Sequence, residues 1–338
     1  MSKQLLIALT FLGLCSCASQ SQRWVLSTPP PEAPPVPPAA ATPLHPDLRA
    51  LARQVLLAEV GADNGTLRSN AIEALGDADP ADAIGPTLDG LSDPDPDVRF
   101  AACMVVGQLH ITRAYERLLH MHDSDESAVV QIAVRYALHK LGDTRFSHDL
   151  EKFAASPSPE IRGKTAMVLG LLGEPSAVVL LEPMLRDPSE PIRLQAAESL
   201  WRLGNEDGLK ALAAYAISGY PDDAILATLA MAAPRNQQLT GQIRGNLTSD
   251  FPEVRLATAR ALGMLGSDEG YTIAVRYTTS LDPRQRFLAA LALGAIGRSD
   301  AQPKLAPMLH DANPAVRIGA ATAILELRPP ASSAAAGD

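Results

Sequence analysis

One arginine recurs along this chain at a nearly constant interval, and that interval restricts the fold more than any other feature. Arg68, Arg99, Arg162, Arg193, Arg255, Arg286 and Arg317 head similar segments, and Gln131 and Ala224 stand at the same place in two further copies. Successive anchors lie 31 residues apart, with one step of 32 between Arg99 and Gln131. A fixed period over nine copies means that each copy is one supersecondary unit, burying its apolar face against its neighbours. Three residues after each anchor stands a small or short side chain: Ala71, Ala102, Val134, Thr165, Ala196, Ala227, Thr258, Ala289 and Ala320. Seven residues after it stands a larger apolar one: Leu75, Val106, Leu138, Leu169, Leu200, Met231, Leu262, Leu293 and Ile324. Offsets of three and seven share one face of an α-helix. Gly142, Gly173, Gly204, Gly266 and Gly297 follow as helix ends, because glycine takes the left-handed conformation at little cost.

A second helix of each pair is expected after the glycine, as at residues 177–187 and 301–311. Asp93-Pro94, Asp187-Pro188, Asp282-Pro283 and Asn313-Pro314 read as capping residues in front of the next copy. Two helices of ~12 residues per period make an α-solenoid. The expected fold class is therefore all-α, an α-α superhelix of about nine helix pairs. Aromatics are only 4% of the chain, which argues against a sandwich or barrel. The net charge of −9 argues against a nucleic-acid binder, which needs a basic face.

The motif DPxxxVRxxAAxALGxLG resembles HEAT-like repeats, particularly the short version found in phycobilisome lyases, over about residues 60–327. The resemblance implies that the arginine column and the aspartate before each helix form a hydrogen-bonded ladder between adjacent repeats. It also implies a family that includes scaffolds, adaptors, lyases and hydroxylases, so it carries fold better than function. Gln131 and Ala224 interrupt the column, and bending or binding is expected to concentrate there. Arg135, in a slot that is usually alanine, is expected to replace part of the missing arginine of its repeat.

The N-terminus carries an address. Met1-Ser2-Lys3 is a short basic start, and Leu5 to Leu14 is an apolar run that would span only ~15 Å as a helix. That length suits a signal peptide and is too short for a membrane span. Leu14-Cys15-Ser16-Cys17 resembles the bacterial lipobox, with Leu14 three residues and Ser16 one residue before the acylated Cys17. Ala18 after that cysteine would imply the outer membrane. The organisation expected is a lipoprotein signal peptide at 1–16 and a lipid-anchored Pro-rich spacer at 17–46. The repeat solenoid follows at 47–328, with a disordered tail at 329–338. Residues 27–46 hold nine prolines, which would extend up to ~60 Å as polyproline II. With Cys15 removed and Cys17 acylated, Cys103 is the one thiol left, so no internal disulfide can form.

Two clusters invite chemistry. His120, His122, Asp123, Asp125 and Glu126 could supply ligands for a transition metal, or could form a helix end and a polar loop. Between Asp77 and Asp97 there are seven aspartates and no Lys or Arg. They read as a solvated, capped face or as a site for a basic partner or a divalent cation, and they lack the glycine and distant glutamate of a calcium loop. Residues 61–160 hold 17 acidic and 8 basic residues, against 18 and 17 in residues 161–338. No nucleophile elbow, P-loop, paired-histidine zinc motif or His-Glu dipeptide occurs, so neither enzyme chemistry nor a cofactor or metal is expected. The functional expectation is an envelope lipoprotein acting as a protein-binding scaffold or adaptor, its protein partner docking along the inner helices. It would meet the membrane through its lipid anchor and bind no nucleic acid. The alternative is a metal- or ligand-binding protein or enzyme with its site near His120, His122 and the Asp77–Asp97 segment.

Overall fold

The computed structural model describes residues 43–328, which contain eighteen α-helices and no β-strand. In the N-terminal part these are α1 (Pro46–Val60), α2 (Gly65–Ala78), α3 (Pro80–Gly90), α4 (Pro96–Leu109), α5 (Tyr115–Ser124) and α6 (Ala128–Lys140). Then come α7 (Leu150–Ala154), α8 (Pro159–Leu172), α9 (Val178–Met184), α10 (Glu190–Arg202), α11 (Glu206–Ala216) and α12 (Pro221–Ala232). The last six are α13 (Thr240–Arg244), α14 (Pro252–Met264), α15 (Tyr271–Tyr277), α16 (Pro283–Ile296), α17 (Gln302–Leu305) and α18 (Pro314–Glu326). Every even-numbered helix carries one anchor, from Arg68 in α2 to Arg317 in α18. The fold is an all-α solenoid of nine pairs among the described residues. The pairing runs odd before even, because α1 precedes the first anchor helix and nothing helical follows α18 among those residues.

The even helices keep the 12–14 residues that the period requires, whereas several odd helices are cut short. α7 and α13 have five residues and α17 has four. Gly241 and Gly245 bracket the end of α13, and Pro307 falls in the 3-10 turn after α17. Glycine raises the cost of a helix, and proline removes a donor from it.

The core follows the offsets. All nine side chains three residues after the anchor are wholly buried, and those at seven residues are at most 5% exposed. Where threonine fills the small slot, its hydroxyl is satisfied by the carbonyl four residues back: Thr165 donates to Ile161 O and Thr258 to Val254 O, both at 2.7 Å. Eight residues after the anchor, glycine lets neighbouring even helices touch. A Cβ at Gly170 would lie 2.6 Å from the Ser199 Cβ, and one at Gly294 would lie 2.7 Å from the Ala323 Cα.

The helix-end glycines have positive φ, as expected, and two other residues share their slot. His110 (φ 54°) and Arg235 (φ 58°) stand eleven residues after Arg99 and Ala224, where five other repeats have glycine. The capping assignment also changes at two positions. Asp282 and Asn313 accept amides at the starts of α16 and α18. Asp93 and Asp187 instead stand two residues ahead of the caps, Asp95 and Ser189, and are used elsewhere.

The described chain divides into two compact units, one of residues 59–236 and the other of residues 43–58 with 237–328. The second thus joins most of α1 to the last three repeats. The signal peptide, Cys17, most of the spacer and the tail at 329–338 lie outside the described residues. No helix among the described residues is long and apolar enough to cross a membrane.

Candidate functional site

The arginine column forms a ladder. Arg68 donates through Nε and Nη2 to both oxygens of Asp93 (2.8 and 2.7 Å), and Arg99 does the same to Asp125 (2.7 and 3.1 Å). Arg162 and Arg286 repeat the arrangement on Asp187 and Asp311. The remaining nitrogen reaches back along the chain: Nη1 of each arginine donates to the carbonyls six and five residues before it, as Arg99 does to Asp93 O and Pro94 O. Asp93 therefore serves two repeats, its carboxylate holding Arg68 and its carbonyl holding Arg99. Fork-to-fork pairing of this kind is strong and directional. The guanidinium hydrogen bond holds the carboxyls of Asp93, Asp187 and Asp311 below the usual range. Nε, Nη1 and Nη2 of each of these four arginines are all engaged, so these four act as an internal brace.

The ladder has a rule that composition hides. The acceptor stands six residues before the next anchor, and it is aspartate at 93, 125, 187 and 311 but serine at 156, 218, 249 and 280. Serine still makes the local turn, since Ser156, Ser218, Ser249 and Ser280 each accept the amide two residues on. It offers no fork to a guanidinium, however. At each of these four places the joint differs. Arg193 finds the Tyr215 hydroxyl (3.3 Å) and Arg255 the Tyr277 hydroxyl (2.6 Å), each 22 residues on. The other two anchors facing serine are Gln131 and Ala224, the two breaks in the column.

The break at Gln131 is rebuilt from other parts. Gln131 Nε2 lies within hydrogen-bond distance of Met121 O, His122 O and Asp125 O (2.9, 3.1 and 2.9 Å), covering the backward half of the arginine's role. Arg135 donates to Gln131 O and Oε1, sits 5.2 Å from the Phe153 ring centroid and approaches Asp149 at 3.9 Å. Phe153 stands where Tyr215 and Tyr277 stand in their repeats, without the hydroxyl, so a cation over the ring face takes its place. Burial lowers the Arg135 pKa, and Asp149 opposes that shift. Arg135 does replace part of the missing arginine, as a forward contact.

The two polar clusters do not converge. Asp125 is committed to Arg99 and to the Ser127 amide. His122 Nδ1 pairs with Asp123 (3.0 Å) and His120 Nδ1 with Ser124 (3.2 Å). Among the described residues, no group of three or more His, Cys, Asp or Glu side chains is placed to hold a metal ion. In the acidic segment, Asp93 belongs to the ladder, Asp95 caps α4, and Asp77 accepts from Gln108 Nε2 (2.7 Å). Asp82 and Asp97 lie in the first turns of α3 and α4, where the helix dipole favours a negative charge. Cys103 is buried, and burial pushes its thiol pKa up.

The face opposite the core is filled as well. Five residues after the anchor, Met104, Tyr136, Met167, Glu198 and Leu229 lie on the far side of their helices, yet none is more than 7% exposed. Lys164 of α8 places its ammonium 4.3 Å from the Phe100 ring centroid, two repeats away on α4. Glu198 accepts from Arg202 (3.0 Å) and Gln195 (3.2 Å), while burial raises its pKa. In residues 59–236 these positions are covered by the chain's own side chains. The large exposed apolar side chains among the described residues are Leu57, Val179, Ile217, Tyr220 and Leu281, at 40, 76, 81, 70 and 98%.

A family model described as HEAT repeats matches residues 53–139, 148–233 and 273–336. Among solved structures, the complex of CpcE and CpcF of phycocyanin lyase from Nostoc sp. PCC7120 is similar at 16% identity and TM-score 0.42, covering 78% of this chain and 98% of that one. Human deoxyhypusine hydroxylase is similar at 19% identity and TM-score 0.36, covering 74% and 96%. A mutant of Kap121p is similar at 14% identity and TM-score 0.36, covering 82% of this chain and 37% of that one. No curated protein matches the sequence.

Proposed function

The chain belongs to the HEAT-repeat family, and from that premise we propose that it is a lipid-anchored scaffold or adaptor of a bacterial cell envelope. The ladder carries the scaffold reading. Four bidentate Arg–Asp joints and two Arg–Tyr joints hold successive repeats in fixed register, and a surface fixed in advance loses little entropy when a partner docks. With the positions five residues after the anchors of the even-numbered helices covered in residues 59–236, docking falls to the odd-numbered helices and connecting loops. The acidic excess of residues 61–160 favours a partner with a basic face, through steering more than through raw affinity.

The envelope address rests on the basic start, the apolar run from Leu5 to Leu14 and the cysteine pair at 15 and 17. Acyl chains on Cys17 would hold the membrane, each buried CH₂ contributing ~0.8 kcal/mol, and the prolines would set the height of the repeats above it. Replacing Cys17 with Ser is expected to move the protein from the membrane to the soluble envelope fraction. A Cys17→Ser protein that still sediments with membranes sinks the anchor. The adaptor reading is tested separately, by cross-linking and affinity capture from solubilised envelopes. Recovery of the same basic envelope protein with wild type, and its loss on reversing the charges of exposed acidic residues such as Asp89 and Asp123, is the expected result.

A further inference from the structure

α1 is tied to the part of the chain farthest from it in sequence. Gln302, at the start of α17, is 6% exposed, and its amide is fully engaged. Nε2 donates to Pro43 O (2.9 Å) and to Ser299 O (3.0 Å), while Oε1 accepts the backbone amide of His45 (2.8 Å). Arg49 adds a hydrogen bond from Nη1 to Ile324 O at 3.4 Å. Along α1, Ala52 and Leu56 are wholly buried. The groups that Gln302 reads on residues 43–45 are a carbonyl and an amide two residues apart, whereas Pro43 and His45 are themselves exposed. A carboxamide presenting a donor and an acceptor side by side recognises the main chain of an extended peptide and is indifferent to its side chains.

We infer that the last repeats carry a peptide-binding site centred on Gln302. Its ligand is an extended, proline-containing segment that runs directly into a helix, and residues 43–58 occupy it as a strap. The strap's sequence suits the role. Pro43 and Pro46 restrict the backbone around His45 to extended conformations, so little freedom is lost on seating. Pro46 then opens α1 at the position where its missing amide costs nothing. While the strap is seated the site is closed. A matching segment from a second copy of this chain enters only after the resident segment has left.

The test uses the full-length protein and separates the backbone from the side chain. His45→Ala keeps the amide that Gln302 accepts; His45→Pro removes it and leaves the repeats untouched. Hydrogen exchange of residues 47–58 is followed by mass spectrometry, together with binding of a fluorescent synthetic peptide of residues 42–58. His45→Ala is expected to behave as wild type. His45→Pro is expected to exchange about tenfold faster in α1 and to bind the peptide about tenfold more tightly than wild type does. Gln302→Leu is expected to speed exchange without gaining peptide binding, because it removes the site itself. Unchanged exchange in His45→Pro overturns the strap. Faster exchange with no peptide binding, or equal peptide binding by Gln302→Leu and His45→Pro, overturns the site and leaves only a brace.

Discussion

The joints at Arg99 and Gln131 lie one repeat apart and solve the same problem with different chemistry. At Arg99 one residue does everything: its fork holds Asp125 ahead, and its remaining nitrogen holds Asp93 O and Pro94 O behind. At Gln131 the work is divided, with a neutral amide behind and Arg135 over Phe153 ahead. The cause is a single acceptor, since Asp125 faces Arg99 while Ser156 faces Gln131. The two helices also differ in how close the next one comes. α4 presents Gly107 to Tyr136, whereas α6 has His139 in that slot, reaching Glu174 at 3.3 Å. The lesson is that an inter-repeat joint is a pair of positions, and a change at one partner is answered at the other.

Breaking the stronger joint should cost most. Arg99→Ala strands Asp125, whose side chain is only 7% exposed, and is expected to cost about 3 kcal/mol in denaturant unfolding. Gly107→Ala comes next. Its Cβ would lie 2.5 Å from the Tyr136 ring and 3.2 Å from the Ala137 Cα, so overpacking should cost about 2 kcal/mol in the same measurement. Gln131→Ala, which uncovers three carbonyls but removes no charge, is expected to cost about 1.5 kcal/mol. Gln131→Arg sharpens the comparison, because with Ser156 opposite it should gain nothing beyond about 0.5 kcal/mol. A large stabilisation would show that the anchor acts without its acceptor.

Acid separates the joint types further. Asp93, Asp187 and Asp311 have folded-state pKa values below the free carboxylate value, which is about 3.9. Their stabilisation is therefore complete above that value and is lost as the pH falls through the lower folded values. The joints at Tyr215 and Tyr277 have a phenol in place of the carboxylate and should keep their hydrogen bonds through the same range. Hydrogen exchange below pH 4 should accordingly rise first around α2, α8, α16 and their Asp93, Asp187 and Asp311 loops, and later around α14. Uniform loosening of all repeats would contradict this assignment.

Much of this was legible in the sequence, because a repeat states its own geometry nine times. The small and large apolar columns marked the buried face, and five glycines marked helix ends. What was missed had a signal of a subtler kind. The Asp-to-Ser alternation six residues before each anchor, and the tyrosines at 215 and 277, become visible only when the acceptor column is read against the anchor of the preceding repeat. His110 and Arg235 took the helix-end conformation without the residue that advertises it. The polar cluster around His120 and Asp125 is close in sequence without converging in space. Asp125 turns to Arg99, 26 residues earlier.

The sequence by itself determined the all-α repeat, its period and its core columns, because these depend on contacts between residues at fixed, short separations; the inter-repeat brace was implied only by the resemblance to HEAT-like repeats. Tertiary structure alone decided that the positions five residues after the anchors are covered in residues 59–236 and that Gln302 grips residues 43–45. Both depend on how far the helices turn between repeats, and that turn accumulates from packing distances that no single copy of the motif contains.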